Sequence, residues 1–108
     1  MQLTFLGKQT QGGGSPTLFA TDRGTYVVQG WKVPGQPASV EVPAALLRHL
    51  AGLPGLGVTL QDTGRGSFVL AGEPVIDEAA LAQMDIPRHE TCVEVGKRKG
   101  GADGVATG

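Results

Sequence analysis

The sequence predicts a mainly β fold, a β-rich α+β domain in which two pseudo-symmetric hairpin-plus-strand repeats share one core with two short helices. Three observations point there. Thr17–Val33 and Thr59–Val75, laid together without gaps, are identical at eight of seventeen positions, where average composition gives roughly one or two by chance. The 18 glycines and 7 prolines among 108 residues demand many turns and short elements, which suits strands better than a helical bundle. "SVEVP" at Ser39–Pro43 and "CVEVG" at Cys92–Gly96 place valines at alternate positions with a glutamate between them, the period of a half-buried strand.

Taken in order, "LTFLG" from Leu3 reads as a first strand, and "KQTQGGGSP" after it as a loop. Thr17–Thr21 and Tyr26–Gly30 are β-branched and aromatic runs divided by "DRG", a hairpin whose Asp and Gly supply the turn. "GRG" stands at the same place between Leu60 and Phe68 in the second copy. Each hairpin is followed by its Val-Glu-Val strand, but the links differ. Val40 lies seven positions after Val33, whereas Val93 lies eighteen after Val75. The longer link predicts a turn or two of helix over Ala79–Met84, with Asp77 as N-cap and Pro87 as the stop. In the first copy the helix follows the strand instead. "PAALLRHLAG" places Pro43 at the first helical position, buries Leu46, Leu47 and Leu50, and ends at Gly52. Residues 1–98 are therefore expected to form a single domain, with the repeat at 17–42 and 59–95. Residues 99–108 have almost nothing to bury and are expected to be a disordered tail.

Composition narrows the function. A formal net charge of −1 gives no electrostatic reason to expect nucleic acid or an anionic membrane as partner. One cysteine cannot make an intramolecular disulfide. "MQLTFLG" has no positive n-region of a signal peptide, and no apolar run approaches the ~20 residues of a membrane span. The expected compartment is the cytoplasm.

Motif searches for catalysis return nothing. "GGGS" lacks the Gly-Lys-Ser/Thr of a phosphate-binding loop, and "GRGS" lacks a third glycine at the dinucleotide spacing. No serine sits in a nucleophile elbow. His89-Glu90 starts like a zinc-protease motif, but Val93 stands where the second histidine belongs. His89 and Cys92 are two metal ligands at most, short of a tetrahedral site. No catalytic residue, metal or cofactor is expected. The candidates for partner binding are Arg23, Arg65, Trp31 and Tyr26. Both copies keep an arginine at the hairpin tip, where paired guanidinium groups could grip a phosphate or a carboxylate, or simply stand solvated. Trp31 has Glu73 as its counterpart. A tryptophan on one half only either fills the core or anchors a partner.

Two resemblances add to this. "PTLFATDRGTYVVQGWKV", with "DEAALAQMDIPRHETCVEV", resembles a group of small actinobacterial proteins of no established activity, some encoded beside helix-turn-helix regulators. There these motifs occur in a single unit, which implies duplication with differential loss here. "VEVPAALLRHLAGLPGLGVTLQDTGRGSFVLAG" resembles the strand–Pro–helix–strand–turn–strand order of swapped-hairpin (AbrB/MazE-type) regulators, which are DNA-binding dimers. The expected function is a non-enzymatic protein-interaction or accessory regulatory protein, acting as a monomeric pseudo-dimer or a homodimer. The alternatives are a swapped-hairpin DNA-binding regulator, and a small-ligand site or enzyme in the cleft between repeats.

Overall fold

The computed structural model describes residues 1–9 and 15–98. It is mainly β: strands β1 (Leu3–Lys8), β2 (Thr17–Thr21), β3 (Thr25–Val33), β4 (Gln36–Pro43), β5 (Gln61–Asp62), β6 (Ser67–Ala71), β7 (Glu73–Pro74) and β8 (Glu90–Gly96). A 3₁₀ helix (Ala44–Leu50) follows β4, and α1 (Glu78–Leu81) precedes β8. The strands form one antiparallel sheet in the order β1-β2-β3-β4-β6-β5, with β8 against β3 and β7. The expected tail and part of the first loop lie outside the described residues.

The repeats occupy equivalent places, but they trade their third strands. β3 pairs with β8, setting Tyr26 opposite Val95 and Val28 opposite Val93. β6 pairs with β4 in the same register, setting Phe68 opposite Val42 and Leu70 opposite Val40. Each hairpin thus takes the Val-Glu-Val strand that belongs to the other copy, and such reciprocity is what a two-fold relation requires. Beyond Gly30 the strand also pairs with its own copy, Trp31 lying opposite Glu41 on β4 and Glu90 on β8; beyond Gly72, Glu73 lies opposite Glu94. The crossing explains the two glycines. A Cβ on Gly30 would stand 2.6 Å from the Glu41 carbonyl oxygen and 2.7 Å from Val42 Cγ1. On Gly72 it would stand 2.6 Å from the Glu94 oxygen and 2.7 Å from Val95 Cγ1. Only a residue without a side chain lets the backbones approach so closely.

The alternation of each strand sorts its side chains into two clusters. Leu18, Tyr26, Val28, Val40, Val42, Leu70, Val93 and Val95 face the shared inner core, which the 3₁₀ helix closes with Leu46 and Leu50. The outer cluster forms over the first hairpin and not the second: Phe19, Val27 and Cys92 of the exchanged strand are covered by Leu3 of β1 and by Ala80 of the long link, with Val75, Leu81, Met84 and Ile86 around them.

The first helix differs from expectation, while the second keeps to it with a single Asp77-capped turn. Pro43 ends β4 in extended conformation (φ −67°, ψ 146°) and is the N-cap, because its carbonyl still belongs to the strand. The helix that follows is 3₁₀ and buries Leu46 and Leu50, leaving Leu47 partly exposed. Asp77 does cap α1, accepting from the Ala80 N–H at 3.0 Å. The helix is a single turn that stops at Leu81 well before Pro87, since the link has only to lay Ala80 onto the outer cluster.

Candidate protein-binding surface

At each hairpin tip the same constellation is built twice. Arg23 reaches Glu94 Oε1 at 3.2 Å, and Thr25 Oγ1 donates to Glu94 Oε2 at 2.6 Å. Arg65 reaches Glu41 Oε2 at 3.2 Å, and Ser67 Oγ donates to the same oxygen at 2.6 Å. Thr21 and Thr63 fold back alike, their hydroxyls accepting from the Arg23 and Arg65 N–H groups at 3.1 and 3.2 Å. Gly24 (φ 74°) and Gly66 (φ 83°) take the left-handed turn position. The two arginines sit at equivalent turns and stay largely exposed, 58% and 68%. One face of each is engaged by a carboxylate of the exchanged strand, so their first ligand is the chain's own.

The other candidates separate. Tyr26 is only 1% exposed and offers a partner nothing. Strand alternation points its ring inward, its hydroxyl donates to the Pro54 carbonyl at 2.5 Å, and Lys97 Nζ stands 5.2 Å from the ring centroid. Burial holds its hydroxyl above the usual phenol range. Trp31 is half-buried and belongs to neither cluster, because it follows the crossing glycine and lies beyond both packed faces. His89 is 53% exposed while Cys92 is buried in the outer cluster. Burial pushes the Cys92 thiol up to about 11, keeping it protonated at neutral pH. Among the described residues no three His, Cys, Asp or Glu side chains gather to hold a metal ion.

The chief difference between the repeats lies in what covers them. In the first, β1 lies along the free edge of β2, with Thr4 opposite Ala20 and Gly7 opposite Leu18. The Gln9 N–H donates to the Pro16 carbonyl at 2.9 Å, and the Asp22 N–H to the Gln2 carbonyl at 3.1 Å. The backbones of the even-numbered residues from Pro16 to Asp22 therefore face β1. Their counterparts in the second repeat are Val58, Leu60, Asp62 and Gly64. There β5 ends the sheet. Thr63 bonds across the hairpin to Ser67, so ladder alternation turns Leu60 and Asp62 toward the unpaired edge. Gly64 donates to the Asp62 side chain instead of to a neighbouring strand. The outer face is open as well: of the counterparts of buried Val27 and Gln29, Val69 is half-buried and Ala71 exposed, because the short link carries no helix to cover them.

Along this edge runs a groove of about 850 Å³, with Leu56–Leu60 on one side and Lys97 and Arg98 on the other. A second hollow of about 300 Å³ continues it past Leu47, Arg48 and Arg98. Leu47, Val58 and Leu60 pack partly against the inner core from this side. No ion pair engages Arg48, Lys97 or Arg98 among the described residues.

Neither this groove nor a buried carboxylate is legible in the sequence alone. Glu90, 2% exposed, accepts from Gln29 Nε2 at 2.7 Å and from the Ser15 N–H at 2.6 Å. Gln29 also donates to the Asp85 carbonyl at 2.8 Å, tying the long link to β3. The one signal was Gln29 itself, a polar residue inside an apolar strand whose counterpart is Ala71. No family model, curated protein or solved structure matches the chain.

Proposed function

We propose that the chain is a non-enzymatic protein-interaction module, an accessory to a regulator, that presents its second repeat to a partner protein. The observation that carries this reading is the unequal covering of two equivalent repeats. In the first, β1 covers the edge of β2 and the long link covers Val27 and Cys92 on the outer face, while in the second β5 is left as the edge beside a partly apolar outer face and a groove floored by leucine and valine. Exposed apolar surface beside an unpaired strand is what association between proteins uses. A photo-crosslinking residue placed in the native host at Thr59 or Ala71 should give an adduct of defined mass, and one at Ala79 on the closed side should give none. Adducts at all three positions alike, at Ala79 alone, or at none would contradict the reading.

The strand exchange favours a second reading, a swapped-hairpin DNA-binding regulator. Against it stand the net charge of −1 and the engagement of Arg23 and Arg65 by glutamates. Binding to duplex DNA that weakens steeply with salt would support this reading over the first.

A further inference from the structure

We infer that the groove beside Val58–Asp62 accepts an extended segment of a partner protein as an added β-strand, antiparallel to that edge, apolar at alternate positions and acidic toward its C-terminal end. The inference rests on the protein-interaction reading above and names the chemistry of the partner. The molecule itself supplies the template. In the first repeat the equivalent edge is filled by β1, which runs antiparallel to β2 from Leu3 opposite Thr21 to Lys8 opposite Thr17. β1 also sets Leu6 against the inner core. Among the described residues no strand takes that place in the second repeat: β4 leads into the 3₁₀ helix, and the residues after β8 pair only with residues 55–57, before Val58, through Gly57 N–H to the Gly96 carbonyl and Arg98 N–H to the Gly55 carbonyl.

A strand seated as β1 is would meet the outward backbone groups of Leu60 and Asp62. Such main-chain bonding gives affinity in strand addition, while pockets for alternate side chains give selectivity. Its inward side chains would cover Leu47, Val58 and Leu60, which the core leaves partly exposed. The antiparallel direction fixes where charge belongs. The C-terminal end of the incoming strand lies beside Val58, next to Lys97 and Arg98, with Arg48 beyond. Carboxylates there would meet three cations. At the opposite end the exposed Asp62 disfavours acid. Three cations over an apolar floor suit a peptide better than a nucleic acid, whose binding needs a longer array of phosphate contacts.

The test is selection of phage-displayed random dodecapeptides on the full chain. Enriched clones should alternate apolar residues and carry Asp or Glu in their C-terminal half. Their synthetic peptides should shift the amide resonances of Val58–Asp62 and bind the Lys97→Glu/Arg98→Glu double variant at least tenfold more weakly. The variant gives up the contact of Lys97 with the Tyr26 ring but leaves the core intact, so its amide spectrum away from the groove should remain that of the folded parent. Absence of enrichment, clones that the double variant binds equally well, or a footprint elsewhere would overturn the inference. So would a 12-base-pair duplex that shifts the same amides more strongly, or self-association of the chain through this edge. Crosslinks from Ala71 in the host with no peptide enriched would leave the interaction reading standing and remove strand addition. Failure of both would remove both.

Discussion

Gly30 and Gly72 have the most sharply defined roles of any residues in the chain. Each sits where the chain passing along the exchanged Val-Glu-Val strand also meets that of its own copy, with a backbone carbonyl 2.6 Å from where a Cβ would be. The obstruction is backbone on a central strand, so it cannot rotate away. Gly30→Ala and Gly72→Ala should each destabilise by about 1–3 kcal/mol, the usual cost of overpacking, and by similar amounts, as measured by denaturant unfolding. A neutral Gly30→Ala would mean that the crossing is looser than described. The tip arginines are a contrasting case. Their pairs with Glu94 and Glu41 are largely exposed on the arginine side, and such pairs contribute at most about 1 kcal/mol each. Sequence repetition marked Arg23 and Arg65 correctly as equivalent, but it could not say that the carboxylates facing them come from the chain itself. Those glutamates sit on strands remote in sequence. Tyr26, a candidate for partner binding in the sequence, is buried instead, and only the pairing with Val95 shows that it points inward.

At the scale of the element, the two links between hairpin and strand decide how the repeats differ. The long link is held at its start by Asp77, which caps α1 through the Ala80 N–H and meets the Met1 ammonium at 3.2 Å. These contacts, the cap first, hold its carboxyl below its ordinary value of 3.8. A carboxyl whose folded pKa is depressed contributes stability that is present above the unfolded value and lost as pH falls through the folded one. Asp77→Ala should therefore be less stable than the parent at pH 6, and the gap should close as pH falls below the ordinary carboxylate range. Thermal unfolding of both proteins across that range measures it; a gap independent of pH would mean that the carboxylate charge plays no part. The link's helix was legible from its capping residue, whereas its length was not. Of the turn or two expected over Ala79–Met84, α1 is one, and looser turn bonds from Gln83 to Ala80 and from Met84 to Leu81 follow it. The 3₁₀ helix shows the same limit, with its leucines expected and its winding unforeseen.

At the scale of the whole molecule, the repeat, the β-rich class, the turn residues and the inward valines could all be read from local pattern. The exchange of third strands could not. Period-2 alternation is identical whichever neighbour a strand pairs with, and Ser39–Pro43 carries the same signal as Cys92–Gly96. The unequal lengths of the links announced that the halves would be dressed differently. The open edge, however, follows from β1 having no counterpart among the described residues, which is evident only once β1 lies on β2. That difference is measurable without any partner, by amide hydrogen exchange followed by NMR on the full chain. Leu18 and Ala20, whose backbones face β1, should be protected. Their counterparts Leu60 and Asp62 should exchange orders of magnitude faster, close to the rate of exposed loops. Equal protection at the four amides would mean that the second repeat is already covered and has no free edge to offer.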